Sequence, residues 1–192
     1  MKNKLKIIIA VIIVALVVSA YLVNNFRQDK NTFNYNGFKV YRTAPAVYDI
    51  EIFLKNDPTP HYISIRYDPR DLKDIEIEEN LKERLLRKEI FVTLTPNLTI
   101  DSIVAVAELA KIIGNKYLFN IPVSGALTYP KDDTPIKTCS DVTVKTSIIL
   151  LKLGEETKVY KDNECIIIEG KTEEDIVKAA SKLALELMGI NN

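Results

Sequence analysis

The chain has 192 residues, with 26 lysines and arginines against 26 aspartates and glutamates, and 47% of its residues are hydrophobic. This length fits one globular domain with an appendage and gives no reason to divide the chain further. Removing the amino-terminal Lys2, Lys4 and Lys6 from the 26 positive charges leaves 23 against 26 negative ones. A slightly acidic domain lacks the basic footprint of a nucleic-acid-binding protein, so that class is excluded.

Residues 5–23, LKIIIAVIIVALVVSAYLV, form an apolar segment with a single charge, Lys6, close to its start. As a helix the segment would be about 28 Å long, which is close to the roughly 30 Å hydrocarbon thickness of a bilayer. We therefore predict a transmembrane helix that acts as an N-terminal anchor in the membrane lipid. A cleavable signal peptide remains the alternative, because Val18, Ser19 and Ala20 offer an acceptable site for cleavage after Ala20.

The charges on either side of this segment predict its orientation. Lysines precede it, whereas Arg27, Asp29 and Lys30 follow it with less net positive charge. By the positive-inside rule the N-terminus stays in the cytoplasm and the C-terminal domain is extracellular. Residues 24–36 are polar and rich in asparagine, and we interpret them as a linker between the anchor and an exported α/β domain at 37–192.

The exported domain begins with strand patterns. Residues 38–42, 48–54 and 61–67 alternate apolar and polar side chains, as strands with one buried face do. We predict an N-terminal antiparallel meander from these three strands. The side chains expected to face the core from its second strand are Ile50, Ile52 and Leu54.

After the meander, helical and strand patterns alternate. Leu81 and Leu85 lie one turn apart in a charged stretch, which predicts a helix supported by an ion pair between Glu78 and Lys82. The further predicted elements are strands at 90–94, 116–121, 146–153 and 165–169, and helices at 101–113 and 173–188. The residues expected on the core face of the first of these helices are Ile103, Val104, Ala107, Ala110 and Ile113. The predicted fold is a mixed-sheet α/β sandwich with helices packed on the sheet.

The stretch CIIIEGKTEEDI at 165–176 has the GKT end of a phosphate-binding loop but lacks its first glycine. Cys165 occupies the position where the GxxxxGK[ST] pattern needs that glycine. The carboxylates of Glu173 and Glu174 at the helix start would also repel a phosphate. We interpret the stretch as a strand-to-helix joint in which Gly170 forms the turn.

Two modifications are predicted for an exported domain. Cys139 and Cys165 have no metal-type spacing, so a disulfide between them is the natural interpretation, and two reduced core cysteines are the alternative. Asn97 begins an Asn-Leu-Thr sequon on a turn between a strand and a helix, which predicts glycosylation at this position.

The sequence offers two weak candidates for a small-molecule site. Residues 122–145 are the longest stretch without a regular pattern, and they are either a binding lid or a plain surface excursion. The default location for a ligand is the crevice at the carboxyl ends of the parallel strands, near Thr95 and Ser124.

Charged residues after the meander form a third candidate. Arg66, Asp68 and Arg70 could bind a carboxylate bidentately, or they could pair among themselves as a structural network. No catalytic constellation is recognisable, because His61 is the single histidine and no nucleophile has a base beside it. We therefore predict no metal and no cofactor.

Residues 139–190 resemble the carboxyl-terminal portion of small uncharacterised archaeal proteins that carry one amino-terminal membrane helix. Within them, IIIEGKTEEDIVKAASKLALEL is similar to a unit of archaeal surface-layer proteins, in which an apolar strand and Gly170 lead into an acidic helix start. The resemblance implies a cell-envelope location and no enzymatic activity, and it supplies no catalytic residues. The chain is too short for a lattice-forming surface-layer protein, which argues against that role.

These features lead to a functional hypothesis. We expect a membrane-anchored extracytoplasmic domain that acts as an interaction or accessory subunit of the cell envelope, with a protein partner there. The alternative is a small-ligand-binding or enzymatic domain with residues 122–145 as its lid.

Overall fold

A computed structural model describes residues 9, 11–22, 31–55 and 57–190. Residues 11–22 are helical and exposed, and we label them α1. Among the described residues, no helix combines the length and the apolarity needed to cross a membrane. The predicted anchor at 5–23 extends over residues that lie outside the described set, so the transmembrane helix stays a prediction.

Four strands form an antiparallel sheet in chain order. They are β1 (Thr32–Tyr35), β2 (Phe38–Ala44), β3 (Val47–Leu54) and β4 (Asp57–Ile65). The predicted meander is confirmed, since β2, β3 and β4 pair antiparallel, Ile50 and Ile52 are buried, and Leu54 packs against the same core. β1 lies within the predicted linker 24–36 and pairs with β2, so the sheet begins before the predicted domain start at residue 37.

Six strands form a second, mixed sheet. They are β5 (Glu76–Ile77), β6 (Glu89–Leu94), β7 (Val123–Leu127), β8 (Thr146–Leu153), β9 (Lys158–Asp162) and β10 (Cys165–Gly170). Their order across the sheet is β5-β9-β10-β8-β6-β7. The four strands from β10 to β7 run parallel, and β9 pairs antiparallel with β10. The predicted mixed α/β class is therefore confirmed.

Three further helices complete the fold. They are α2 (Leu81–Leu85), α3 (Ile100–Ile113) and α4 (Glu173–Leu187). One side of the α3–α4 pair packs on the six-stranded sheet through Leu109 and Leu183, and another side packs on the four-stranded sheet through Ile112 and Leu185. The helices are thus a layer between two sheets, which is why ten of the fifteen residues of α4 are buried.

Residues 116–121 correct one predicted strand. They form turns, and the edge strand β7 follows at Val123–Leu127. Asn115 Oδ1 accepts a hydrogen bond from the Tyr117 N–H at 2.8 Å, an arrangement that starts a turn. Leu118 and Phe119 pack against the core beneath the four-stranded sheet, so their apolar character serves packing in a turn.

The predicted helix around Leu81 and Leu85 is the single turn of α2, and both leucines are buried. The expected pairing of Glu78 with Lys82 does not occur. Glu78 Oε1 instead accepts from Lys161 Nζ at 2.8 Å. The reason is that Glu78 lies beside β9, outside the helix, so the helical spacing does not apply to it.

The joint between β10 and α4 is confirmed as structural. Thr172 caps α4, because its Oγ1 accepts from the Asp175 N–H at 3.1 Å. A Cβ on Gly170 would lie 2.5 Å from the backbone nitrogen of Ile176 and 2.8 Å from the Thr172 carbonyl oxygen. The first turn of α4 therefore leaves no room for a side chain at Gly170.

We expect Gly170→Ala to lower the free energy of unfolding by roughly 1–3 kcal/mol, because backbone atoms must shift to admit the methyl group. Gly125→Ala in β7 is the matched control, since the nearest atom to a Cβ there, Val106 Cγ1, is 4.0 Å away. Urea unfolding of both variants measures the difference. Equal stability of the two variants would contradict the steric explanation.

Candidate binding sites

Two residues of the predicted ligand cluster at Arg66, Asp68 and Arg70 form an ion pair with each other, namely Asp68 and Arg70. Asp68 accepts from Arg70 Nε at 2.9 Å, from Nη2 at 2.6 Å and from the backbone N–H at 3.0 Å. Burial opposes ionisation of Asp68, but these hydrogen bonds outweigh it and hold its pKa below the ordinary value. The Arg70 guanidinium also stacks 3.8 Å from the centre of the Phe33 ring. Asp68 and Arg70 therefore form a structural pair, and Arg66 lies apart in a groove described below.

The default crevice at the carboxyl ends of the parallel strands is occupied by Glu173. Its Oε2 accepts from Ser102 Oγ at 2.7 Å, from the Ser102 N–H at 3.1 Å and from Thr99 Oγ1 at 3.0 Å. The positive end of α3 is thus already neutralised by a carboxylate of the protein itself. Thr95 follows β6, whereas Ser124 is the second residue of β7, so the structure does not bring them together at one strand end.

The predicted irregular stretch 122–145 has two parts. Residues 123–127 are the edge strand β7, and the remainder, around Cys139 and Val142, covers the face of the six-stranded sheet that is turned away from α3 and α4. The predicted disulfide is confirmed, because Cys139 is bonded to Cys165 of β10 with their Cα atoms 5.4 Å apart. Thr93 Oγ1 donates to the carbonyl oxygen of Lys137 at 2.8 Å, so this cover is fastened to the central strands.

The sequon residue Asn97 is exposed in the turn between β6 and α3. Thr99, the third residue of the sequon, caps α3 by accepting from the Asp101 N–H at 3.4 Å. Its hydroxyl also donates to Glu173, as described above. Glycosylation of Asn97 stays a prediction, and the exposed position is compatible with it.

A groove that sequence reasoning missed lies between the β2–β3 turn, the end of β4 and α3, with a volume of about 530 Å³. Such a volume is in the range of small-molecule sites. Its apolar walls are made by Pro45, Val47, Ile100, Ile103, Val104 and Ala107. Ile100 and Ile103 are 76% and 51% exposed, and Ala107 is exposed as well. The expectation that Ile103 and Ala107 face the core is therefore wrong, whereas Ile113 is buried as expected. We call this site the α3 groove.

The charged end of the α3 groove contains a buried carboxyl group, Glu108, with Arg66 and Lys111 beside it. Glu108 is 7% exposed, and its Oε1 accepts from Ser181 Oγ at 2.6 Å. Its Oε2 has no hydrogen-bond partner in the part of the chain that the structure describes. Burial raises the pKa of Glu108 to about 7, although the Ser181 hydrogen bond, the backbone N–H of Arg66 and the charges of Arg66 and Lys111 act in the opposite direction. The carboxyl group therefore changes protonation state near neutral pH.

The outer face of the four-stranded sheet carries exposed aromatic side chains. Phe53 and Tyr62 are 62% and 55% exposed. The rings of Tyr41 and Tyr62 meet edge to face with centroids 5.8 Å apart, and both hydroxyls donate to Glu51 Oε2, at 2.7 and 3.3 Å. We call the surface formed by Tyr41, Glu51, Phe53 and Tyr62 the aromatic face. Rigid, exposed aromatic rings are typical of the cores of protein–protein interfaces.

Comparison of the chain with profiles of protein families, with curated proteins and with solved structures gave no match. The resemblance of residues 139–190 to archaeal membrane-anchored and surface-layer proteins stays a prediction. Function is therefore argued below from the residues and contacts of this chain.

Proposed function

We propose that the chain is an extracytoplasmic domain, held at the cell membrane by residues 5–23, that acts as an interaction or accessory subunit of the cell envelope. It binds a protein partner through the aromatic face. The observation that carries the proposal is the pair of exposed rings at Phe53 and Tyr62, of which Tyr62 packs edge to face on Tyr41.

The disulfide supports the extracytoplasmic location. Disulfides persist in oxidising compartments, whereas thiols in the cytosol are kept reduced in most organisms. The bond between Cys139 and Cys165 joins a long surface segment to a central strand. Together with the lysines that precede residues 5–23, this bond supports a cytoplasmic N-terminus and an exported domain.

The chemistry of the aromatic face supports a protein partner. Tyrosine and phenylalanine rings bury a large area, and rings that are already held in place lose little conformational entropy on binding. Glu51 holds both tyrosine hydroxyls, and Lys39 lies 5.1 Å from the centre of the Tyr41 ring at the edge of the surface. An apolar centre with a charged rim is the usual arrangement of such an interface.

Photo-crosslinking in intact cells tests the partner surface. A benzophenone amino acid at Phe53 of the full chain is expected to give one discrete adduct. The same substitution at Val144 is the control, because Val144 is 82% exposed but lies on the cover of the other sheet. Absence of the Phe53 adduct, or an equal adduct from Val144, would contradict the proposed surface.

Surface labelling tests the predicted topology separately. A membrane-impermeant amine reagent applied to whole cells should modify the exposed Lys88, with a cytosolic protein as the negative control. Labelling of Lys88 only after lysis would contradict an extracellular domain.

The α3 groove supports a second function, that of a small-ligand-binding domain. The observation in its favour is the buried Glu108 beside an apolar trough. Residues 122–145 would not serve as its lid, because they contain strand β7 of the six-stranded sheet, and Cys139 and Val142 lie against the opposite face of that sheet.

A further inference from the structure

The α3 groove changes from apolar to charged along the helix. Ile100 and Ile103 form its apolar end, whereas Glu108, Lys111 and Arg66 form the other end. At a rise of 1.5 Å per residue, the apolar stretch from Ile100 to residue 107 is about 10 Å long. The groove is therefore an apolar trough of limited length that ends at a polar group.

The charges at the polar end favour an anion. Neither Arg66 nor Lys111 has an ion-pair partner among the described residues. Both act on the carboxyl group of Glu108, which is buried and is only partly ionised at neutral pH. Two cations beside one partly ionised carboxyl leave room for a second negative charge, whereas they would repel an ammonium group.

Glu108 sets the charge at this end of the groove. Its side chain is more than nine-tenths buried and lines the groove, and its Oε2 has no hydrogen-bond partner within the described chain. Because Oε2 has almost no accessible surface, a ligand in the groove is affected by the charge of Glu108 without contacting that atom. A neutral Glu108 therefore favours a bound anion, whereas an ionised Glu108 repels it.

The geometry points to the α3 groove as a binding site for a medium-chain carboxylate. The carboxylate group lies between Arg66 and Lys111, close to Glu108 in its neutral form, while the alkyl chain lies along Ile100 and Ile103. This site goes beyond the proposed interaction function and uses none of the aromatic face. The result of the crosslinking experiment at Phe53 therefore neither supports nor contradicts this inference.

The test is a titration of the full chain in lipid nanodiscs with octanoate labelled with ¹³C at the carboxyl carbon, followed by NMR. Octanol and octylammonium are the neutral and cationic probes of the same length, and both are expected to bind at least tenfold more weakly. Affinity should increase about fourfold for each methylene from hexanoate to octanoate, as burial of alkyl groups predicts. Octanol binding as tightly as octanoate, or an apolar tetrapeptide binding more tightly, would overturn the inference.

Variants separate the two ends of the groove. Arg66→Gln should weaken octanoate binding about tenfold, because it removes a charged partner of the carboxylate. Ile103→Ser should also weaken binding, whereas Val144→Ser, the control at an exposed valine outside the groove, should leave it unchanged. Unchanged affinity in Arg66→Gln and Ile103→Ser would overturn the site.

The pH dependence identifies the role of Glu108. Octanoate should bind about tenfold more tightly at pH 6 than at pH 8, because deprotonation of Glu108 then adds a repelling charge. The other groups that face Glu108 are Arg66 and Lys111, which are cations, and Tyr67, whose pKa is raised by burial so that it stays neutral. Glu108→Gln should bind equally at both pH values. A persistent tenfold difference in that variant would overturn the assignment of the pH dependence to Glu108.

Discussion

Replacing Cys139 by serine together with Cys165 by alanine is expected to lower the free energy of unfolding by roughly 3.5 kcal/mol in the chain-entropy view. The bond joins residues 26 apart in the chain, so its removal gives the unfolded state the freedom of that loop. It also releases the cover of the six-stranded sheet, which includes Val142, from Ile148 and Ile167. Alanine is chosen at the buried Cys165 to avoid burying a hydroxyl group.

Guanidinium unfolding of the protein with and without a thiol reductant measures this effect. The reductant should destabilise the wild-type chain and leave the double variant unchanged. A wild-type chain that is equally stable in both conditions would contradict a contribution from the disulfide.

Replacing Glu108 by glutamine is expected to make the protein more stable at pH 8, by roughly 3 kcal/mol at most. The pKa of Glu108 is raised by burial from an ordinary value of 4.5 to about 7 in the folded protein. The folded state therefore binds the proton more tightly than the unfolded state does. The contribution of protonated Glu108 to the free energy of unfolding is complete below pH 4.5. It is lost as the pH rises through 7, because an ionised carboxylate is then buried in the folded protein.

Urea unfolding at pH 5 and pH 8 measures this dependence. Wild-type stability should fall between the two values, and Glu108→Gln should remove most of that fall. Glu79→Gln, at an exposed carboxylate, is the matched control and should retain the wild-type dependence. An equal fall in Glu108→Gln and Glu79→Gln would contradict the assignment to Glu108. A stabilising change at this position is also what a functional carboxyl group would show.

Much of the fold follows from periodicity in the sequence. The alternation around Ile50 and Ile52 predicted the antiparallel meander, and the continuous apolar run 146–153 predicted the central strand β8. Thr172 marked the start of α4 and caps it as expected. Gly170 is required there because a side chain would not fit, and not for the special backbone angles that the sequence suggested. β1, β5, β7 and β9 were missed, because they are short or lie in polar or irregular stretches.

The candidate sites were less predictable, because they depend on contacts between distant residues. Asp68 and Arg70 lie close together in the sequence, which allowed both a structural ion pair and a site that binds a ligand. The structure shows the ion pair. Ile103 was expected to face the core, but α3 is apolar on more than one side and its buried side is set by Leu109 and Ile112. Excess apolar character in α3 was the signal that could have indicated an exposed groove.

The sequence by itself determined the strand and helix patterns, the cysteine pair and the apolar amino-terminal segment, since these depend on local spacing and composition. The tertiary structure alone decided that α3 and α4 lie between two sheets and that the segment around Cys139 and Val142 covers the far sheet face. It also decided that Glu108 is buried without a partner for Oε2. Burial and hydrogen bonding are sums over residues far apart in the chain, so no local pattern specifies them.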